Sequence, residues 1–281
     1  MLDCVAIIGG TGLYQLDGLV IEEELEVSTP FGAPSAPIVA GRIGGNRVLF
    51  LPRHGNGHRI LPHEVNYRAN IWALKAAGAQ ALISVSATGS LREELPPGTL
   101  VLPDQYIDMA MGVRKKSFYG DGIVGHLSTA HTTSPALSAL LYQAGLKMNV
   151  PIVKDGTYVC VEGPRLGTRA ESFFWRTAGA HLVGMTQVPE VFLAKEAGLA
   201  QATVAVVTDY DCWKDEADDH VTVDAVMAQY AKSIVHVRDT LFEVLSAPLD
   251  VPPGPNPRSA IMTAEEHWTP EQARMLAVLL A

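Results

Sequence analysis

The run Ala202-Thr203-Val204-Ala205-Val206-Val207, followed by Thr208-Asp209-Tyr210-Asp211-Cys212-Trp213, decides the reading of this chain. The run is short, rich in β-branched residues and free of charge, the pattern of a buried strand. The two carboxylates that follow it, spaced i and i+2, project to one side of an extended chain. In an open α/β sheet, ligands bind outside the carboxyl ends of the strands. Like charges that close together persist only with a polar or protonated group between them. A nitrogen heterocycle with two donor positions, such as a 6-aminopurine, meets that need. The competing reading is that both acids cap a following helix.

Working outward, strand-like apolar runs recur at 5–8, 48–51, 81–85, 99–102 and 157–161. Helix-patterned stretches lie between several of them, at 66–77, 135–144, 168–178, 190–196 and 223–245. This alternation predicts an α/β fold with a central mixed β-sheet flanked by helices. Phe31-Gly32-Ala33-Pro34 and the stretch 41–46 read as hairpin punctuation, so antiparallel pairing is expected at one end. Residues 247–257 hold five prolines, which cannot continue the preceding helix, and read as an extended connector. A last amphipathic helix follows over 269–280, with Pro270 in its first turn.

The bulk properties narrow the function. The chain has 281 residues, 48% of them hydrophobic and 18% charged, enough to bury a large core. Its net charge is −9, and its longest basic cluster is Arg114-Lys115-Lys116, which argues against a nucleic-acid backbone as partner. No stretch approaches the roughly 18 apolar residues of a membrane span, and Met1-Leu2-Asp3-Cys4 is not a basic leader. Three cysteines with no C-x-x-C spacing suit a reducing compartment. A cytoplasmic protein without membrane or nucleic-acid partners is expected.

Four more strand ends carry ligand-binding chemistry. Ile7-Ile8-Gly9-Gly10-Thr11-Gly12 can turn amides and a hydroxyl toward an anion. It completes neither a dinucleotide fingerprint nor a P-loop, and an ordinary tight turn explains it equally well. Pro52-Arg53-His54-Gly55 places a bidentate cation in a glycine-rich loop, suited to phosphate. His54, His58 and His63 sit on that loop rather than at helical spacing and lack acid or Cys partners, so no metal is expected. Val85-Ser86-Ala87-Thr88-Gly89 lets backbone amides approach a ligand, and Met185-Thr186 offers a soft apolar surface beside a hydroxyl. Together these residues describe a site for phosphate, a sugar and a base, without a covalent nucleophile.

Taken in order, Gly9-Gly10-Thr11-Gly12, Pro52-Arg53-His54-Gly55, the stretch 65–70, the stretch 89–94, Glu162-Gly163-Pro164-Arg165, Arg169-Ala170-Glu171-Ser172, the stretch 185–190 and Thr208-Asp209-Tyr210-Asp211-Cys212-Trp213 resemble the methylthioadenosine phosphorylase branch of the trimeric purine nucleoside phosphorylases. The likeness runs from about residue 5 to the end. It implies phosphorolysis of 5′-methylthioadenosine to adenine and 5-methylthioribose 1-phosphate, with no cofactor and inorganic phosphate as co-substrate. By that resemblance Thr11, Arg53, His54, Ser86, Ala87 and Thr186 hold phosphate, and Met185 lies against the ribose. Asp209 is the catalytic residue, sharing a proton with the base as it leaves, and Asp211 accepts from the 6-amino group. Val223 and Val226 line the methylthio pocket. His126 and Leu279 come from an adjacent subunit, which implies a homotrimer. The phosphorylase domain then covers residues 1–246, and the connector and last helix, 247–281, pack at a subunit interface.

Several positions depart from the family pattern. Leu166 stands where Phe usually stacks on the base, Gly167 replaces a hydroxyl residue, and Gln187 replaces Thr. The loop 214–220 is one residue longer, and its His220 would favour a 5′-hydroxyl over a methylthio group. Alternatives are a broader purine nucleoside phosphorylase acting on adenosine or methylthioinosine, a hydrolase releasing free sugar, a nucleoside-binding protein without catalysis, and an oligomeric scaffold. Two acids at the base edge oppose a 6-oxopurine, and the Arg53-His54 loop opposes the hydrolase.

Overall fold

The computed structural model of the chain describes residues 2–10, 13, 18–214 and 222–281. Its hub is one long strand, β5 (Ala81–Ser90). β5 pairs in parallel with β1 (Cys4–Gly9) on one side and with β11 (Ala200–Asp209) on the other. β1 in turn runs parallel to β4 (Asn46–Pro52), with Gly9 opposite Pro52. Four carboxyl ends therefore point the same way, as a topology with ligands at strand ends requires. Beyond β4 the pairing becomes antiparallel through β3 (Ile38–Ile43) and β2 (Val20–Leu25). The turn between β3 and β4 is Gly44-Gly45, with φ of +57° at Gly44, so the hairpin punctuation at 41–46 is what it was read to be.

The far end of β5 bends away and pairs antiparallel with β10 (Leu182–Gly184), which lies parallel to β9 (Thr157–Val161). β7 (Gln105–Met109) closes that edge. β11 also pairs antiparallel with β6 (Leu100–Leu102), and β6 runs parallel to β8 (Ile152–Lys154). The described sheet thus has eleven strands of mixed direction.

Both faces of the central strands are buried, so their alternating residues serve two cores. On one face, Val5 and Ile7 pack with Val204, Val206, Leu137 and Val237. On the other, Ala6 and Ile8 pack with Ile71, Leu74, Leu193 and Leu276. The first core is covered by α2 (Pro135–Lys147) and α5 (Val223–Leu245), the second by α1 (Tyr67–Ala76), α4 (Gln187–Glu196) and α6 (Pro270–Leu280). Each expected helix forms, and Pro270 stands in the first turn of α6 as expected. Asn66 and Ser134 cap α1 and α2, and capping boxes open α3 (Arg169–Thr177) at Thr168/Glu171 and α6 at Thr269/Gln272. Leu249 and Val251 of the proline-rich segment are buried against the first core, and α6 seats Leu276 and Leu279 in the second. No helix of the described residues is long and apolar enough to cross a membrane.

Candidate active site

A cavity of about 280 Å³ opens at the carboxyl ends of these strands. Its wall takes Gly10 from the end of β1, Arg53 and His54 after β4, Ser86 to Gly89 from β5, Met185 and Thr186 after β10, Asp209 and Asp211 at the end of β11, and Val226, Met227 and Tyr230 from α5.

One end of the cavity is built for an anion. Arg53 is almost wholly buried, and its Nε and Nη2 each donate to a Glu190 carboxylate oxygen at 2.7 Å. Nη1 donates to the Val85 carbonyl at 2.9 Å, and Ser84 adds a third contact to Glu190 at 2.7 Å. Burial opposes the Arg53 charge, but the Glu190 carboxylate outweighs it and keeps the guanidinium protonated. The bidentate partner expected to be phosphate is therefore, in this structure, Glu190. Glu190 fixes the guanidinium and offsets part of its charge, and Nη1, with one bond to Val85, is the nitrogen that keeps a hydrogen to spare.

His54 donates from Nδ1 to the Ile60 carbonyl at 2.9 Å, and its ring stacks on His58 with centroids 4.3 Å apart. Burial first and the Arg53 charge second push its pKa from 6.5 down to about 4. The folded ring is thus neutral where an unfolded one would take up a proton. That contribution to stability is complete above pH 6.5 and is lost as pH falls through about 6.5 toward about 4. Urea unfolding at pH 7.5 and pH 4.5 should therefore show a smaller acid loss for His54→Asn than for the wild type. Beside it, Ser86 Oγ lies 3.0 Å from Thr186 Oγ1, and both hydroxyls are buried against the cavity.

The other end carries the two acids. β11 stops at Asp209, and Asp211 turns into the left-handed region at φ +51°. Both carboxylates reach the cavity, but through an Asx-type turn rather than a continued strand: the Asp211 amide donates to Asp209 Oδ1 at 2.8 Å. Thr208 Oγ1 donates to Asp209 Oδ2 at 2.6 Å. Neither acid caps α5, whose cap is Thr222. Burial raises the Asp209 pKa, partly offset by the Thr208 hydroxyl and the Asp211 amide, with the Asp211 charge raising it further. Burial likewise raises Asp211. Two acids held in an apolar wall with raised pKa are suited to sharing protons with a basic heterocycle. The turn is pinned from behind: Trp213 Nε1 donates to the Ser90 carbonyl at 2.8 Å, and Arg176 stacks 3.8 Å from the Trp213 ring.

Leu166 and Gly167 form the flank at this end. Arg165 and Glu171 join through two 2.7 Å contacts and tie their loop to the start of α3. Gly167 has a steric reason: a Cβ there would lie 2.7 Å from Cη2 of Trp175, which is buried. The missing hydroxyl and the large indole are one arrangement. Gly167→Ser is expected to overpack the site, lower stability by about 1–3 kcal/mol and raise the nucleoside KM, with Trp175→Phe restoring both in the double variant.

Of the expected residues, Arg53, His54, Ser86, Ala87, Leu166, Met185, Thr186, Asp209, Asp211 and Val226 meet around this one cavity. Thr11 and His220 lie outside the described residues. Val223 opens α5 with its side chain exposed and is not in the lining. His126 is exposed on a loop whose amide bonds to the Ala260 carbonyl at 2.8 Å, and Leu279 is buried in its own chain's core. Glu190, Met227 and Tyr230 are not among the residues expected at the site from sequence, and His58 was weighed only as a metal ligand. An acid set inside the apolar stretch Val188-Pro189-Glu190-Val191-Phe192-Leu193 was the available signal for Glu190, since an acid buried at 0% exposure needs a cation.

Residues 5–243 match the phosphorylase superfamily. The chain is 46% identical over 241 residues to the S-methyl-5′-thioadenosine phosphorylase of Geobacter sulfurreducens, covering 86% of this chain and 84% of that one. It is 43% identical over 282 residues to the enzyme of the same name from Rhodospirillum rubrum, covering 98% and 95%. Among solved structures, a methylthioadenosine phosphorylase from an antarctic soil metagenomic library superposes with a TM-score of 0.92 at 40% identity, over 100% of this chain and 99% of that one. A methylthioadenosine phosphorylase of Schistosoma mansoni in complex with adenine superposes at 0.82 and 41% identity, over 86% and 91%. Strand ends that gather an anion cradle and a pair of acids into one cavity, on a fold and sequence shared almost end to end with these proteins, show that the chain belongs to the phosphorylase superfamily.

Proposed function

We infer that this enzyme cleaves S-methyl-5′-thioadenosine with inorganic phosphate, releasing adenine and 5-methylthioribose 1-phosphate without a cofactor. One observation carries the reading: the hydroxyl and arginine end and the two-carboxylate end open into the same cavity, whose lining also includes Met185. Phosphate at Arg53, His54, Ser86, Ala87 and Thr186 would sit below the sugar, and the base would meet Asp209 and Asp211. As the C1′–N9 bond breaks, its electron pair goes to the purine, and protonated Asp209 supplies N7 with a proton. A phosphate oxygen then forms the new bond to C1′. Asp211 accepts from the 6-amino group, which a 6-oxopurine cannot offer. Val226 and Met227 give the 5′ end an apolar wall suited to a thioether.

The assembly is a homotrimer in this reading. Met111, Val113 and Met262 are each more than 70% exposed, and Met262 hydrogen-bonds Val124, also exposed, two residues from His126. A partner would cover such side chains and bring His126 toward a neighbour's cavity. For Leu279 to serve a neighbour, α6 would have to re-seat on assembly. Free thiols at Cys4, Cys160 and Cys212 support a cytoplasmic setting.

Substrate ranking tests the specificity. With phosphate saturating, kcat/KM should fall in the order methylthioadenosine, adenosine, methylthioinosine. Methylthioinosine turned over as fast as methylthioadenosine would remove the role given to the two acids.

A further inference from the structure

Behind the anion end lies a tyrosine that touches neither the cavity nor solvent. Tyr158, the second residue of β9, is fully buried among apolar neighbours, yet its hydroxyl lies 3.2 Å from Ser86 Oγ. Gly184 shows how tightly this hydroxyl is seated: a Cβ there would overlap the phenol oxygen and lie 2.6 Å from Cζ. β10 thus passes directly over the tyrosine, and residues 185 and 186 follow it into the cavity.

The proton directions follow from the partners. A buried phenol hydrogen needs an acceptor, and among the described residues the hydrogen-bond partner of the Tyr158 hydroxyl is Ser86 Oγ. The phenol's own hydrogen then goes to Ser86 Oγ, the acceptor within reach. Burial holds the Tyr158 pKa far above neutral, so that hydrogen stays in place. Ser86 cannot donate back along the same line. Its hydrogen turns toward the Ala87 carbonyl at 3.2 Å, toward Thr186 Oγ1 at 3.0 Å, or into the cavity. A bound anion takes that hydrogen directly or through the Thr186 hydroxyl.

We propose that Tyr158 is a positioning residue for the anion site: its hydroxyl sets the direction of the Ser86–Thr186 pair, so that the pair meets phosphate as donors. A chain of hydroxyls polarised in one sense also binds an anion more strongly than free rotors do. The inference rests on the phosphorolysis reading, because it concerns the phosphate co-substrate.

The test is Tyr158→Phe, which deletes one oxygen and keeps the ring, with phosphate and methylthioadenosine varied separately in the same adenine-release assay. The phosphate KM should rise about tenfold, the scale of one lost charge-assisted hydrogen bond, while the methylthioadenosine KM stays within about twofold. Ser86→Ala should raise the phosphate KM similarly, and the double variant should add little to either single one. A phosphate KM unchanged in Tyr158→Phe, or two KM values rising together, overturns the proposal. Should the variant fold poorly, as a shifted near-UV spectrum would show, Tyr158→Met serves as the second probe: the same rise in phosphate KM supports the proposal, and a wild-type value contradicts it. Wild-type adenine release that ignores phosphate would instead defeat the phosphorolysis reading itself.

Discussion

Asp209→Asn should lower kcat on methylthioadenosine by about two to four orders of magnitude, the range for losing a positioned general acid. The substitution keeps the shape of the side chain. Asn can still accept from the Asp211 amide, the 2.8 Å contact that forms the turn, and can trade hydrogen bonds with Thr208. What it cannot do is release a proton to the departing base. The thermal midpoint should therefore stay near the wild-type value, because burial of an unpaired acid is relieved rather than created. The pH profile gives the second readout. Burial raises the Asp209 pKa, so its proton is retained to higher pH than in an exposed acid. Wild-type activity should fall as pH rises through that raised value, and the Asn variant should lose this limb.

Glu190→Ala should produce the largest loss of stability. It strips Arg53, almost wholly buried, of both 2.7 Å carboxylate contacts and leaves an uncompensated cation in the core. Breaking such a pair costs about 3–5 kcal/mol, which shifts the thermal midpoint by about 10 °C in a domain of this size. Glu190→Gln should be nearly as damaging, because it restores the volume and not the charge. Arg53→Met with Glu190→Met removes both charges and should recover most of the stability without any phosphate-dependent activity. That double variant separates the pair's structural role from its place in the anion site.

How much of this was legible in the sequence depends on the kind of signal. The runs that became β1, β4, β5 and β11 are continuous and apolar because both faces are buried, and their ends carried the motifs that meet in the cavity. β8 and β10 are three residues each, too short for any period to show, and β7 mixes polar with apolar positions. The acid pair was read as sharing a face of an extended strand. The shared face is real, but the left-handed turn at Asp211 produces it, and a local pattern cannot report φ. Ten expected site residues converge because strand ends are fixed by topology. Glu190 was hidden because its partner is 137 positions away, and Tyr158 because a tyrosine in an apolar strand reads as packing. Gly167 looked like a lost contact until Trp175 supplied the reason for it.

The most direct test of the central claim is to follow adenine and sugar products from purified enzyme and methylthioadenosine, with and without inorganic phosphate. This account predicts adenine release that requires phosphate, with one equivalent of 5-methylthioribose 1-phosphate formed per adenine. Adenine released at the same rate without phosphate, together with free 5-methylthioribose, would contradict it.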